Sequence, residues 1–132
     1  MCGIAGFFES SRTIHDAPVG QNLITMLQGL ACRGPDSTGV ALFGPGADRQ
    51  VVLRIKLGED GDCSARLAAL RNFLDSDFAS RYQLTSLGNA GRLVVSEVAN
   101  VPALAAAIEA LDKEIEVVSM GARLEIVSIS RT

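Results

Sequence analysis

The feature of the sequence that most constrains the fold is a repeated order, in which one helical stripe is followed by two short strand-like runs. Apolar residues recur at spacings of three and four, which place them on one helix face, in segments 19–31, 63–74 and 102–113. Pairs of β-rich runs follow these segments, at 40–43 with 50–57, 82–86 with 92–98, and 114–119 with 123–129. This order predicts an α+β fold with antiparallel sheets. The turn at 44–48 also predicts that runs 40–43 and 50–57 pair as a hairpin.

Composition limits the partners that we expect. The chain has 132 residues, of which 48% are hydrophobic and 20% charged, so it has enough apolar material for a core and forms one domain or part of a larger one. A net charge of −3 without a basic cluster does not favour nucleic acid or an anionic membrane as a partner. The sequence contains no run of about 18 apolar residues that would span a bilayer, and no secretory signal. A cytoplasmic protein that binds neither nucleic acid nor membrane is therefore expected.

The cysteines do not form a metal-binding pattern. Cys2, Cys32 and Cys63 are widely spaced, and the chain has a single histidine, so no zinc site is predicted. A structural disulfide is not expected in a reducing compartment. We expect three free thiols, no metal and no cofactor.

Cys2 is the first candidate for chemistry because it directly follows the initiator methionine. Removal of Met1 would give a terminal residue with both a thiol, of pKa ~8.5, and an α-amine, of pKa ~7.7–8.0. Such a residue is a nucleophile that carries its own general base. Gly3 allows close approach of the backbone, and the apolar run 4–8 predicts a buried first strand. The alternative is that Cys2 is a small buried hydrophobe in that strand.

A second motif follows the first helical segment. Residues 33–39 read Arg-Gly-Pro-Asp-Ser-Thr-Gly and lead into the apolar run 40–43. Pro35 cannot continue the helix, and Asp36 or Ser37 can bond nearby backbone amides. The local prediction is helix, turn, then strand.

Together, residues 1–8 and 33–39 resemble the opening of a class II glutamine amidotransferase domain. Members of that family are N-terminal-nucleophile hydrolases, with a four-layer sandwich of two antiparallel sheets between helices. The resemblance covers residues 1–44 and implies that this chain contains part of such a sandwich. It also implies that Cys2 is the nucleophile, which forms a γ-glutamyl thioester with glutamine.

The resemblance assigns roles to the residues of the second motif. Arg33 and Gly34 match the family's Arg-Gly pair beside the nucleophile, where Arg33 would favour the thiolate and the Gly34 backbone would hold the amine. Asp36 and Ser37 match the turn of the motif, and a structural role is expected for them. The alternative for Arg33 is a surface arginine that interacts favourably with a helix end.

The chain departs from the family pattern after this opening. It has no Gly-His-Thr-Arg segment to hold the substrate carboxylate and no Asn-Gly pair for an oxyanion hole, and the stretch 88–91 resembles an oxyanion loop only superficially. This is similar to the branch with a long insert, the glutamate-synthase-like subunits, including the first subunit of N-methylglutamate synthase. We therefore expect residues 1–57 to be the N-terminal part of the amidotransferase core. Residues 58–132 would be an insert or continuation that stops before the second half of the active site.

Two functions remain open at this point. The first is a glutaminase portion that hydrolyses L-glutamine and supplies ammonia to a synthase subunit or domain, weak or inactive as this chain alone, in a hetero- or homo-oligomer. The second is a non-catalytic binding or assembly module derived from the same fold.

Overall fold

The computed structural model describes residues 2–8, 18–33, 37–59 and 63–130. Its helices are α1 (Val19–Leu30), α2 (Cys63–Asp77) and α3 (Val101–Glu109), with a short 3-10 helix at Ala79–Arg81. Its strands are β1 (Ser37–Phe43), β2 (Gln50–Lys56), β3 (Tyr82–Leu87), β4 (Ala90–Ser96), β5 (Glu116–Gly121) and β6 (Leu124–Ser130). The predicted α+β class with antiparallel pairing is confirmed at this level.

The chain divides into two compact units. One contains Met1–Thr38 and Ile129–Thr132, and the other contains Gly39–Ser128. The second unit includes residues on both sides of the predicted boundary at residue 57, and that boundary stays a prediction.

The main sheet has the strand order β3-β4-β2-β5. Strand β2 is central and pairs antiparallel with β4 from Gln50↔Ser96 to Lys56↔Ala90, and with β5 on its other side. Alternation along the strands sends Leu53 and Ile55 to one face and Arg54 to the other.

The core lies between one face of this sheet and helices α2 and α3. It contains buried side chains from the strands and from both helices: Leu53, Ile55, Leu84, Leu93 and Val95 with Leu70, Leu74, Leu104 and Ile108. The helix N-terminus of α3 is fixed by Asn100, whose Oδ1 accepts a hydrogen bond from Ala103 N–H at 3.0 Å. The stripes predicted for α2 and α3 therefore face a common core. The buried face predicted for the first helix is wrong, because its stripe, Leu23, Met26, Leu27 and Leu30, is only half-buried and no residue of α1 is fully buried.

The predicted hairpin between runs 40–43 and 50–57 is wrong. Strand β1 pairs with β6 in a separate two-stranded sheet, and both edges of β2 are occupied by β4 and β5. Leu53 is fully buried in β2, whereas the side chains of β1 are almost all exposed, so burial selects β2 as the central strand of the main sheet. The chain after β1 does not form a hairpin with β2, and Gly44 N–H instead donates to Arg123 O, before β6, at 2.8 Å.

The predicted buried strand at residues 4–8 is also wrong. Residues 2–8 are in no strand, and the side chains of Ile4 and Phe8 are 96% and 97% exposed. A strand requires a neighbour to complete its backbone hydrogen bonds, and each described strand pairs only with other elements of the two sheets. Apolar composition alone did not supply such a neighbour.

The described part of the chain has no helix that is both long enough and apolar enough to cross a membrane.

Candidate active site at the chain start

Helix α1 positions the residue that the sequence predicts to support the nucleophile. The helix is followed by a tight turn, in which Ala31 N–H donates to Gln28 O at 3.2 Å and Arg33 N–H donates to Leu30 O at 2.8 Å. Bonds of this kind satisfy the last carbonyl groups of a helix. The backbone of Arg33 is thereby tied to the end of α1.

Gly3 lies against this helix end. A methyl group at Gly3 would be 2.8 Å from Leu30 Cδ2 and 3.4 Å from Arg33 Cβ. The first distance is shorter than a van der Waals contact, so only a residue without a side chain fits here unless Leu30 moves. The structure thus brings together Gly3 and Arg33, two residues that the sequence predicted to belong to one site.

Cys2 is exposed, its thiol is free, and it is in no strand. The alternative in which Cys2 is a buried strand hydrophobe is therefore wrong. The exposed thiol of Cys2 is on the residue directly before Gly3, which lies beside Arg33. Its role as a nucleophile stays a prediction.

The other predicted residues are placed as follows. Gly34 and Asp36 lie outside the described residues. Ser37 begins β1 and is exposed. Arg33 is exposed as well, so a surface arginine at a helix end remains the alternative for it. Cys32 is an exposed free thiol beside Arg33.

Asn89 has a structural role that explains the stretch 88–91. Its Nδ2 donates to Gly58 O at 3.0 Å, and its own carbonyl oxygen accepts from Leu57 N–H at 2.7 Å. The side chain and backbone of Asn89 therefore join the β3–β4 turn to the loop after β2. Its amide is engaged in this contact, as expected if the likeness to an oxyanion loop is superficial.

Sequence reasoning missed an ionic cluster on the face of the main sheet opposite the core. Arg54 and Arg92 are register partners in β2 and β4, and both bind Glu125 of β6. Arg54 Nε lies 2.7 Å from Glu125 Oε2, and Arg92 Nη2 lies 2.8 Å from Glu125 Oε1. The hydrogen bond from Arg92 lowers the pKa of Glu125, and the charges of both arginines lower it further, against the opposing effect of burial. One charged residue within the apolar run of β2 was the signal available in the sequence.

The comparisons with known proteins do not assign the chain to a family. No protein-family model matches the chain, no curated protein matches it, and no solved structure matches it.

Proposed function

We propose that this chain contains the nucleophile-bearing part of a class II glutamine amidotransferase. Cys2, as the terminal residue after removal of Met1, hydrolyses the side-chain amide of L-glutamine and releases ammonia for a synthase subunit or domain. The observation that supports this most is the position of Gly3 against Leu30 and Arg33, with the free thiol of Cys2 exposed on the preceding residue.

The chemistry follows from a thiol and an amine on one residue. The Cys2 sulfur attacks the amide carbon of glutamine while the α-amine accepts the thiol proton. The carbon–nitrogen bond breaks, ammonia leaves with that proton, and a γ-glutamyl thioester remains. Water then attacks the thioester, which releases glutamate and restores the thiol. Arg33 Cβ lies beside Gly3, and the role proposed for Arg33 is to supply a positive charge next to the nucleophile.

The proposed fold is a partial N-terminal-nucleophile sandwich. Helices α2 and α3 cover one face of the main sheet, and Glu125 of β6 binds arginines on the other face. A helix layer followed by two sheet layers is compatible with part of a sandwich that has two sheets between helices. The long continuation after residue 57 supports the glutamate-synthase-like branch.

The test is covalent labelling of the full chain with 6-diazo-5-oxo-norleucine, a glutamine-like electrophile, followed by mass spectrometry. We expect an intact mass without Met1 and a label on Cys2. Cys2→Ser should abolish the label, whereas the matched control Cys32→Ser should retain it. Retention of Met1, or labelling of Cys32 or Cys63 in preference to Cys2, would contradict the proposal.

One observation favours the second candidate, a non-catalytic binding or assembly module. Ile4 and Phe8 lie close to Cys2 in the sequence, and nearly their whole side chains are exposed. Exposed apolar patches are typical of contact surfaces. Release of glutamate from L-glutamine by the full chain, lost in Cys2→Ser, would exclude this candidate. Absence of both glutamate release and Cys2 labelling would favour it.

A further inference from the structure

A cleft in the unit Gly39–Ser128 has features that the proposed glutaminase function does not use. It has a volume of about 420 Å³ and lies between the β1–β2 turn, the end of β4 and the β5–β6 turn. Its lining includes four charged residues, Asp48, Arg49, Glu97 and Arg123. The volume lies in the lower part of the range for small-molecule sites.

The charged side chains of this cleft are not held in close ion pairs with other described residues. Arg49 Nη1 and Glu97 Oε1 are 4.0 Å apart, and their side chains are 82% and 58% exposed. An ion pair with such a long distance and such exposed side chains contributes little to the free energy of folding. Among the described residues, Asp48 and Arg123 have no ion-pair partner. By contrast, the Arg54, Arg92 and Glu125 side chains approach within 2.7–2.8 Å on the sheet face.

Two residues beside the cleft have backbone conformations that residues other than glycine rarely adopt. Arg49 and Glu97 have φ angles of +61° and +58°, and Glu97 N–H donates to Arg49 O at 2.9 Å. Left-handed backbone is unfavourable for residues of this size and occurs where the surroundings require it. The two strained residues bear the oppositely charged side chains that line one side of the cleft.

Gly46 lines another part of the cleft, where the turn after β1 approaches the β5–β6 turn. It has φ +68°, and a methyl group there would be 2.9 Å from both Ala122 O and Arg123 Cγ. Arg123 Cγ therefore lies directly against the turn after β1. Val51 and Val98, both half-buried, add apolar lining to the cleft.

We propose that this cleft binds a small zwitterion, a free α-amino acid. Its carboxylate would bind Arg49 and Arg123, its ammonium group would bind Asp48 and Glu97, and its side chain would contact Val51 and Val98. Because the lining has two cationic and two anionic side chains, a zwitterion can pair with both kinds, whereas a ligand of a single charge can pair with only one kind. This inference is independent of the proposed glutaminase function, because it uses no residue of the candidate site at the chain start.

The test is a nuclear magnetic resonance titration of the full chain with L-alanine. We expect saturable shifts at the amides of residues 47–51, 97–98 and 122–123. N-acetyl-L-alanine, which lacks the ammonium, and L-alaninamide, which lacks the carboxylate, should each bind at least about ten-fold more weakly, as for loss of one charge-assisted contact.

Variants separate the two halves of the site. Glu97→Gln and Arg123→Gln should each weaken L-alanine binding about ten-fold or more, whereas Arg71→Gln, an exposed arginine of α2 outside the cleft, should leave it unchanged. Unchanged far-ultraviolet circular dichroism would show that each variant is folded. The inference is overturned by the absence of saturable shifts, by equal binding of the single-charge analogues, or by unchanged binding in both cleft variants.

Discussion

The two compact units of this chain differ in where their apolar side chains lie. In the unit Gly39–Ser128, leucines and isoleucines of the main sheet and of α2 and α3 are fully buried. In the described residues before it, 2–8 and 18–33, no side chain is fully buried, although half of the residues of α1 are hydrophobic. The segment that carries the candidate nucleophile therefore lies outside the part of the chain that supplies the buried core.

This difference implies that one region of the chain determines its stability and that another carries the proposed chemistry. Burial of apolar side chains is the main favourable term in folding, so substitutions in the main sheet should change the free energy of unfolding. Substitutions near Cys2 should change reactivity and leave that free energy almost unaltered. Each prediction below tests one side of this comparison.

The largest effect is expected for Leu93→Ala in the centre of β4. Leu93 is fully buried, and truncation of such a leucine typically costs about 3 kcal/mol, from lost transfer energy and the cavity left behind. Urea unfolding followed by circular dichroism measures the loss. The matched control is Ile24→Ala in α1, where the side chain is 50% exposed and a loss below about 1 kcal/mol is expected. Equal losses in the two variants would contradict the comparison.

A smaller loss is expected for Glu125→Gln, which leaves Arg54 and Arg92 on the sheet face without their carboxylate. Removing one member of a partly buried charged network costs about 2 kcal/mol. The pKa of Glu125 is lowered in the folded state from its ordinary value of 4.5. Its stabilisation is therefore present above pH 4.5 and is lost as the pH falls through the folded-state value.

The measurement for Glu125 is the free energy of unfolding of wild type and variant from pH 7 down to pH 3. The difference between the two should be largest at pH 7 and should shrink as the pH falls below 4.5. Asp77→Asn, at the exposed end of α2, serves as the control and should show a difference near zero. A difference for Glu125→Gln that does not vary with pH would show that the ionic cluster does not contribute as inferred.

Loss of a helix cap should have a moderate effect. Asn100→Ala removes the acceptor for Ala103 N–H at the start of α3, and the expected cost is about 1 kcal/mol. Asn100→Asp retains an acceptor oxygen and should restore most of the stability. Thermal unfolding monitored by circular dichroism compares the three proteins. If Asn100→Asp is as unstable as Asn100→Ala, the cap is not the cause.

The smallest energetic effect is expected at the candidate site. Gly3→Ala places a methyl group 2.8 Å from Leu30 Cδ2, a flexible atom that can move, so the segment before it shifts slightly relative to Arg33. We expect the rate of Cys2 labelling by 6-diazo-5-oxo-norleucine to fall about three-fold, below 1 kcal/mol in the barrier, with no change in urea unfolding.

The control for Gly3→Ala is Gly6→Ala in the same segment. Gly6 has no atom within 4 Å of an added methyl group, so its substitution should leave the labelling rate unchanged. Equal rates in wild type and in both variants would mean that contact with the end of α1 does not influence Cys2.

Periodicity in the sequence predicted the helices and most strands because α2, α3 and the strands of the main sheet carry apolar side chains at regular spacings on the face towards the core. Leu70 and Leu74 in α2, and Leu104 and Ile108 in α3, recur at spacings of four and all contact the common core. Boundaries were less accurate: α3 ends at Glu109 rather than near residue 113. A stripe marks the buried face, but local hydrogen bonds decide where a helix ends.

Strand pairing and long-range contacts could not be predicted in the same way. A turn between runs 40–43 and 50–57 favoured a hairpin, but β2 instead pairs with strands about 40 and 65 residues further along the chain. The approach of Gly3 to Arg33 was expected only from the resemblance to a family, and the cleft around Arg49 and Glu97 had no signal at all. Both depend on tertiary packing and on backbone angles that composition does not encode.

The three sulfur atoms differ in their surroundings. The thiol of Cys63 is half-buried at the start of α2 and donates weakly to Leu57 O, 3.7 Å away, whereas Cys2 and Cys32 are exposed. A short pulse of a maleimide fluorophore would consequently attach to Cys2 and Cys32 first. In a Cys32→Ser background, the same pulse would place a single dye at the chain start, so that its anisotropy reports the rotational freedom of that segment while the sheet remains unlabelled.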